Sequence, residues 1–189
     1  LTTINPFNLL INTAPTAPNV TISPSLAQTS DNLLVTATGS VDADGDSVTY
    51  SYQWLQNGAL TSNATISILA SQTTKGDIWT TRVTPSDGIH DGSYVEASMF
   101  IENTAPTLSN TTITPNSPSS SELLTCSVTA SDADGDPLST TYTWSNETTG
   151  QTLGSNSTFQ LNSSTASAND TIKCTVLVSD GLDTVTASA

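Results

Sequence analysis

The sequence predicts an all-β chain: two tandem antiparallel β-sandwiches preceded by one further strand. Three observations carry that prediction. Asn12-Thr13-Ala14-Pro15-Thr16 returns as Asn103-Thr104-Ala105-Pro106-Thr107, and Asp42-Ala43-Asp44-Gly45-Asp46 returns as Asp132-Ala133-Asp134-Gly135-Asp136, a period of about 90 residues. No long apolar pattern of helical period occurs, whereas β-branched residues alternate with polar ones between clusters of Gly, Pro, Asn and Asp. At 189 residues the chain therefore divides into two modules of sandwich size. The expected organisation is a leading strand over 1–11, a first domain over 12–102 and a second over 103–189.

Period-two alternation places the strands of the first copy near 18–24, 32–40, 47–56, 63–70, 77–85 and 93–101. The second copy gives 108–114, 122–131, 138–146, 156–161, 170–179 and 184–189. Trp54 falls on the third strand of the first copy and Trp144 on that of the second. Asp87-Gly88 and Asp180-Gly181 fall between the last two strands.

Composition narrows the function classes. Net charge is −14, and Lys75, Arg82 and Lys173 are the only basic side chains, too few to neutralise a nucleic-acid backbone. No apolar stretch reaches the length of a membrane span, so no membrane insertion is expected. The negative charge is grouped rather than scattered: Asp42, Asp44, Asp46, Asp87, Asp91, Asp132, Asp134, Asp136, Asp180 and Asp183 all fall in expected loops.

Cys126 precedes the acidic loop of the second copy and Cys174 lies in its penultimate strand, with Trp144 between. This order resembles immunoglobulin sandwiches, in which a disulfide bridges the sheets over a buried indole. In the first copy the aligned residues read Thr36 and Thr81, so both cysteines are absent together, as a disulfide requires. Two buried free thiols are the alternative. A Cys126–Cys174 bridge would add roughly 4 kcal/mol in the chain-entropy model and would imply an oxidising, extracellular or cell-surface location.

In a sandwich, the loop between the second and third strands, the loop between the last two strands and the leading linker meet at one pole. For the second copy this gathers Asp132, Asp134, Asp136 and Asp180 with the linker residues Glu102 and Asn103. Carboxylates converging without a basic partner repel one another unless a cation sits among them. Ca2+, which takes six to eight oxygens at flexible angles, is the expected ion. The spacing is not that of an EF-hand, because the glycine comes one place early and Gln53 and Thr143 stand where a bidentate Glu is needed. A tight acidic turn without metal is the alternative.

The run Asn-x-Ala-Pro, Asp-x-Asp-Gly-Asp, Trp strand and late Asp-Gly resembles the Ig-like, cadherin-like and PKD-like repeats of prokaryotic surface proteins, over residues 12–189. The resemblance implies Ca2+ that stiffens the array at the domain poles, held by Asp42, Asp44, Asp46 and Asp87 in one copy and by Asp132, Asp134, Asp136 and Asp180 in the other. The Asp-Arg-Glu element of cadherins does not occur here. Such repeats serve as fibre subunits, spacers and adhesin or carbohydrate-binding stalks.

The ends of the chain do not match. Residues 1–11 stand where the last strand of a preceding copy would stand, and Phe7, Leu9 and Ile11 give that segment an apolar face. Thr184–Ala189 aligns only with the beginning of the corresponding strand, Tyr94–Ile101. One expectation is strand donation, in which the leading strand of one subunit enters the next and builds a homo-oligomeric, head-to-tail filament. The alternatives are a piece cut from a longer tandem array and a disordered tail.

Asn19, Asn63, Asn110, Asn146, Asn156, Asn162 and Asn169 each open an Asn-x-Ser/Thr triplet and are candidates for covalent glycans; bare polar surface is the alternative. No enzymatic activity is expected. His90 is a single loop histidine with no Cys nearby in sequence, no base stands out beside the many Ser and Thr, and no glycine-rich phosphate cradle occurs.

Overall fold

The computed structural model describes residues 11–189, and the chain forms two compact units, Leu1–Glu102 and Asn103–Ala189. Phe7 and Leu9 of the expected leading strand lie outside the described residues. Ile11 lies within them, 70% exposed and in no strand.

The first unit contains β1 (Asn19–Ser23), β2 (Ala27–Gln28), β3 (Leu33–Thr38), β4 (Thr49–Gln56), β5 (Ala59–Leu60), β6 (Ser67–Ile68), β7 (Ile78–Ser86) and β8 (Val95–Glu102). They form two sheets, β1-β3-β6 and β2-β8-β7-β4-β5. The second unit contains β9 (Thr107–Thr114), β10 (Leu123–Ser131), β11 (Ser139–Asn146), β12 (Gln151–Gly154), β13 (Thr158–Gln160), β14 (Ile172–Ser179) and β15 (Thr184–Ser188). Its sheets are β13-β10-β9 and β12-β11-β14-β15. In both units the first, second and fifth main strands make one sheet and the other four make the second, an antiparallel immunoglobulin-like sandwich.

Each core is built on a tryptophan of the third main strand. Trp54 is fully buried, meets Trp79 edge to face at 6.1 Å, and donates its indole N–H to the Thr65 carbonyl at 2.9 Å. Leu33, Val35, Ile68, Val83 and Ile101 close around it. Trp144 is likewise fully buried, donates to the Asn156 carbonyl at 2.8 Å and packs on Phe159, Leu124, Val176 and Val178. Cys126 and Cys174 form the disulfide, joining β10 to β14 across the two sheets.

The strand register corrects one alignment made from the sequence. Ile22 pairs with Val35 and Ile113 with Cys126, so the residue of the first unit that corresponds to Cys126 is Val35, not Thr36. Val35 is buried and Thr36 exposed, as alternate positions of a strand must be. The first copy has one residue more between this position and its acidic loop. That difference falls within the strands: β1 and β3 pair without a break from Ser23 to Asn19, whereas β9 and β10 shift register between Ser127 and Thr129. At the other cysteine the alignment agrees: Thr81 faces Trp54 as Cys174 faces Trp144.

Three short strands, β2, β5 and β12, carry no alternation long enough to be read from sequence. β2 matters most. Pro24, which has no N–H to donate, follows β1, and the chain then crosses to pair in parallel with the end of β8, Ala27 beside Ile101. Among the described residues no helix is long and apolar enough to cross a membrane.

Candidate metal centre

Each Asp-x-Asp-Gly-Asp run folds around its first carboxylate. In the first unit Asp42 Oδ1 accepts the amides of Asp44 at 2.8 Å and Asp46 at 3.3 Å. In the second, Asp132 Oδ1 accepts those of Asp134 at 2.8 Å and Asp136 at 3.2 Å. The turn needs glycine at its fourth place, where Gly45 and Gly135 have φ of 85° and 77°.

The linker residues tie this loop to the one between the last two strands. Thr13 donates its amide to Asp44 Oδ2 at 2.6 Å, while Asn12 donates its side-chain N–H to Asp87 Oδ2 at 2.8 Å and lies 2.7 Å from His90 Nδ1. In the second unit Thr104 donates to Asp134 Oδ2 at 2.7 Å, and Asn103 donates to Asp180 Oδ2 and Asp183 Oδ2, both at 2.8 Å. Three segments distant in sequence thus meet at one pole of each unit. Asn12, Thr13 and Thr104 were not singled out from the sequence. Their recurrence in both copies was the available signal, and its meaning depended on the fold.

The carboxylates are not gathered equally. In the second unit one oxygen from each of Asp132, Asp134 and Asp136 lies within 4.8 Å of the other two. Among the described residues Asp42, Asp44 and Asp46 form no such group, and Asp180 stands outside the group of the second unit. Asp87 and Asp180 are instead held by the linker asparagines. Glu102 is the last residue of β8 and belongs to the first unit.

One feature at each pole fits a cation. Asp42 is 7% exposed and its Oδ2 is buried with no hydrogen-bond partner among the described residues; Asp132 Oδ2 is in the same condition. A buried carboxylate oxygen without a partner is costly, and a hard cation satisfies it. In the second unit the other donors within reach, on Asp134 and Asp136, are carboxylate oxygens, the chemistry Ca2+ accepts.

Hydrogen bonding keeps two of these aspartates ionised. The amides of His90 and Ile89 and the Asn12 side chain hold the Asp87 pKa below its ordinary 3.8. Asn103, followed by the amides of Asp183 and Leu182, does the same for Asp180. A depressed carboxylate pKa contributes stability that is complete above the ordinary value and is lost as pH falls through the lowered one. In calcium-free buffer Asn103→Ala is therefore expected to raise the Asp180 pKa and destabilise the second unit at neutral pH. The deficit closes as pH falls through the wild-type value. Carboxyl NMR titration with urea midpoints across pH checks this, and an unmoved Asp180 resonance would refute it.

Among the glycan candidates, Asn146 is corrected. It is 1% exposed, its side-chain N–H groups donate to Asp170 Oδ2 at 2.8 Å and the Thr165 carbonyl at 3.2 Å, and its Oδ1 accepts from Thr148 and Thr149. A sugar on that nitrogen would break this network. Asn19, Asn110, Asn156, Asn162 and Asn169 are exposed and Asn63 is half-buried. At the position of Asn146 the first unit has Gln56, which donates to Asp77 at 2.8 Å.

Fold and poles together define a tandem pair of immunoglobulin-like domains, each with an acidic pole tied to its leading linker. No family model matches the chain, and no curated protein does. Among solved structures it is similar to the three N-terminal domains of the highly immunogenic outer capsid protein (Hoc) of bacteriophage RB49, at 18% identity and a TM-score of 0.38. That match covers 92% of this chain and 57% of the other. It is also similar to a structure of Dscam concerned with isoform specificity, at 16% identity and a TM-score of 0.31, covering 95% of this chain and 46% of the other. The chain thus spans about half the length of the structures it matches.

Proposed function

We propose that the chain is a structural segment of an extracellular fibre or surface appendage, with Ca2+ at the acidic pole of each sandwich and head-to-tail assembly by strand donation. The observation that carries the metal reading is the unsatisfied, buried oxygen of Asp42 and of Asp132 at the same point of the two compact units. Bound Ca2+ neutralises the converging carboxylates. The chain's own part is to hold Asp42 and Asp132 rigidly through the loop amides, while Asn12 and Asn103 fix the linker against the adjacent loop.

The disulfide of the second unit, set in its Cys-Trp-Cys order, supports an extracellular setting. Glycans on the exposed Asn-x-Ser/Thr sites belong to the same reading.

Melting in millimolar Ca2+ and in chelator, with Mg2+ as control, tests the metal. A ligand bound only by the folded chain stabilises it by about 2.7 kcal/mol at a hundred times its Kd. Asp42→Asn with Asp132→Asn is expected to remove the Ca2+ response, and a wild-type melting temperature indifferent to chelator refutes the metal. Electron micrographs of the calcium-loaded chain at high concentration read assembly separately; particles that stay monomeric refute the fibre.

A further inference from the structure

One further run recurs between the units. Asn19-Val20-Thr21-Ile22-Ser23-Pro24 returns as Asn110-Thr111-Thr112-Ile113-Thr114-Pro115. Strand register sets the two at equivalent points: Thr21 and Ile22 pair with Thr36 and Val35, as Thr112 and Ile113 pair with Ser127 and Cys126. Asn19 and Asn110 each open an Asn-x-Thr triplet, and no other triplet of the chain has such a counterpart. Asn146 corresponds to Gln56. Asn156, whose carbonyl accepts the Trp144 N–H, corresponds to Thr65, whose carbonyl accepts that of Trp54. Counting from that pair gives Gly154 for Asn63 and Ser71 for Asn162, and counting back from Trp79 and Ile172, which pair with Gln56 and Asn146, gives Gly76 for Asn169.

Backbone geometry does not explain why both asparagines stand there. Asn19 pairs with Thr38 in β1, whereas Asn110 has φ of 53° in a bulge, where Asn110 and Thr111 stand opposite Val128 alone. A left-handed position favours asparagine at 110 but asks nothing of 19. What the two places share is exposure: Asn19, Thr21, Asn110 and Thr112 all lie at the surface. They also share their place in the sheet, since β1 and β9 are both edge strands. Neither strand contains a charged residue or a proline, and β9 is eight residues long. An uncharged edge of alternating residues is a template for pairing with another chain.

Resting on the extracellular, glycosylated reading above, we propose that Asn19 and Asn110 carry N-linked glycans that guard these two edges against side-by-side pairing. Nδ2 of each bonds to the anomeric carbon of a sugar as the bond from that carbon to a diphosphate oxygen breaks. The electron pair of the broken bond leaves with the diphosphate, and Nδ2 gives up one proton. The co-reactant is an oligosaccharide diphosphate.

Electron-transfer mass spectrometry of glycopeptides, from the chain as its own organism makes it, tests occupancy. Both sites are expected to carry the glycan, and a bare Asn19 or Asn110 overturns the proposal. Glycan on other triplets alone does so while leaving the glycosylated reading intact, and no glycan anywhere sinks both. In the same organism, Thr21→Ala with Thr112→Ala is expected to lose the glycan at both sites. In sedimentation velocity this variant is expected to form larger species than wild type at equal concentration. Thr21→Ser with Thr112→Ser keeps both triplets and is expected to match wild type. Thr21→Lys with Thr112→Lys loses the glycan but charges each edge, and is expected to stay as dispersed as wild type. Alanine and wild-type chains that sediment alike overturn the guard, as does a lysine variant, or a glycosylated serine variant, that associates as the alanine variant does.

Discussion

Replacing both bridge cysteines, as Cys126→Ala with Cys174→Ala, is expected to lower the stability of the second unit by about 4 kcal/mol and to leave the first unchanged. The bridge joins residues 48 apart in sequence, so its loss returns a long loop's worth of freedom to the unfolded chain. It also leaves a void beside Trp144, because both cysteines are buried in that core. For a domain of this size the melting midpoint falls by on the order of 20 °C. Hydrogen exchange resolved by strand is the measurement: amides of β10 and β14 lose protection while those of β3 and β7 keep it. Equal loss in both units would refute the assignment.

The converse substitution uses the corrected register. Val35→Cys with Thr81→Cys is expected to form a bridge in the first unit and raise its midpoint. Val35 is 5% exposed, and Thr81 is fully buried with a hydroxyl that finds no partner among the described residues. Thr36→Cys with Thr81→Cys is expected to leave two titratable thiols, because Thr36 lies on the solvent face of β3.

Trp54→Ala is expected to cost the first unit about 3–5 kcal/mol, the range for emptying an aromatic site in a packed core. The ring is fully buried, its loss removes the edge-to-face contact with Trp79, and it strips the Thr65 carbonyl of its donor. Trp54→Phe, which keeps much of the volume but not the N–H, is expected to fall between alanine and wild type. Urea unfolding followed by Trp79 fluorescence separates the three. A cost below about 1 kcal/mol for the alanine variant would mean that Trp54 does not organise this core.

Much of the fold was legible because strand periodicity is a local property. Trp54, Trp144 and the long strands around them were placed correctly by alternation and by comparing the two copies, and the Cys-Trp-Cys order pointed to the bridge. The short strands were not legible, since Ala27–Gln28 and Ala59–Leu60 contain one repeat of the period at most. Asn146 read as a glycan candidate because its triplet is local, whereas its burial beside Asp170 comes from β14 and the loop before it.

The sequence by itself determined the duplication, the all-β class and the grouping of acidic residues, since each is written in residue type and spacing. Tertiary structure alone decided that Val35 rather than Thr36 stands for Cys126, because one extra residue before the acidic loop turns a strand position to its other face. It alone also brought Asn12 and Thr13, and again Asn103 and Thr104, onto aspartates 30 or more residues away, as sheet packing fixes which loops share a pole. Spacing can nominate a carboxylate, but an oxygen becomes buried and unsatisfied only after the chain has closed around it, as it has at Asp42 and Asp132.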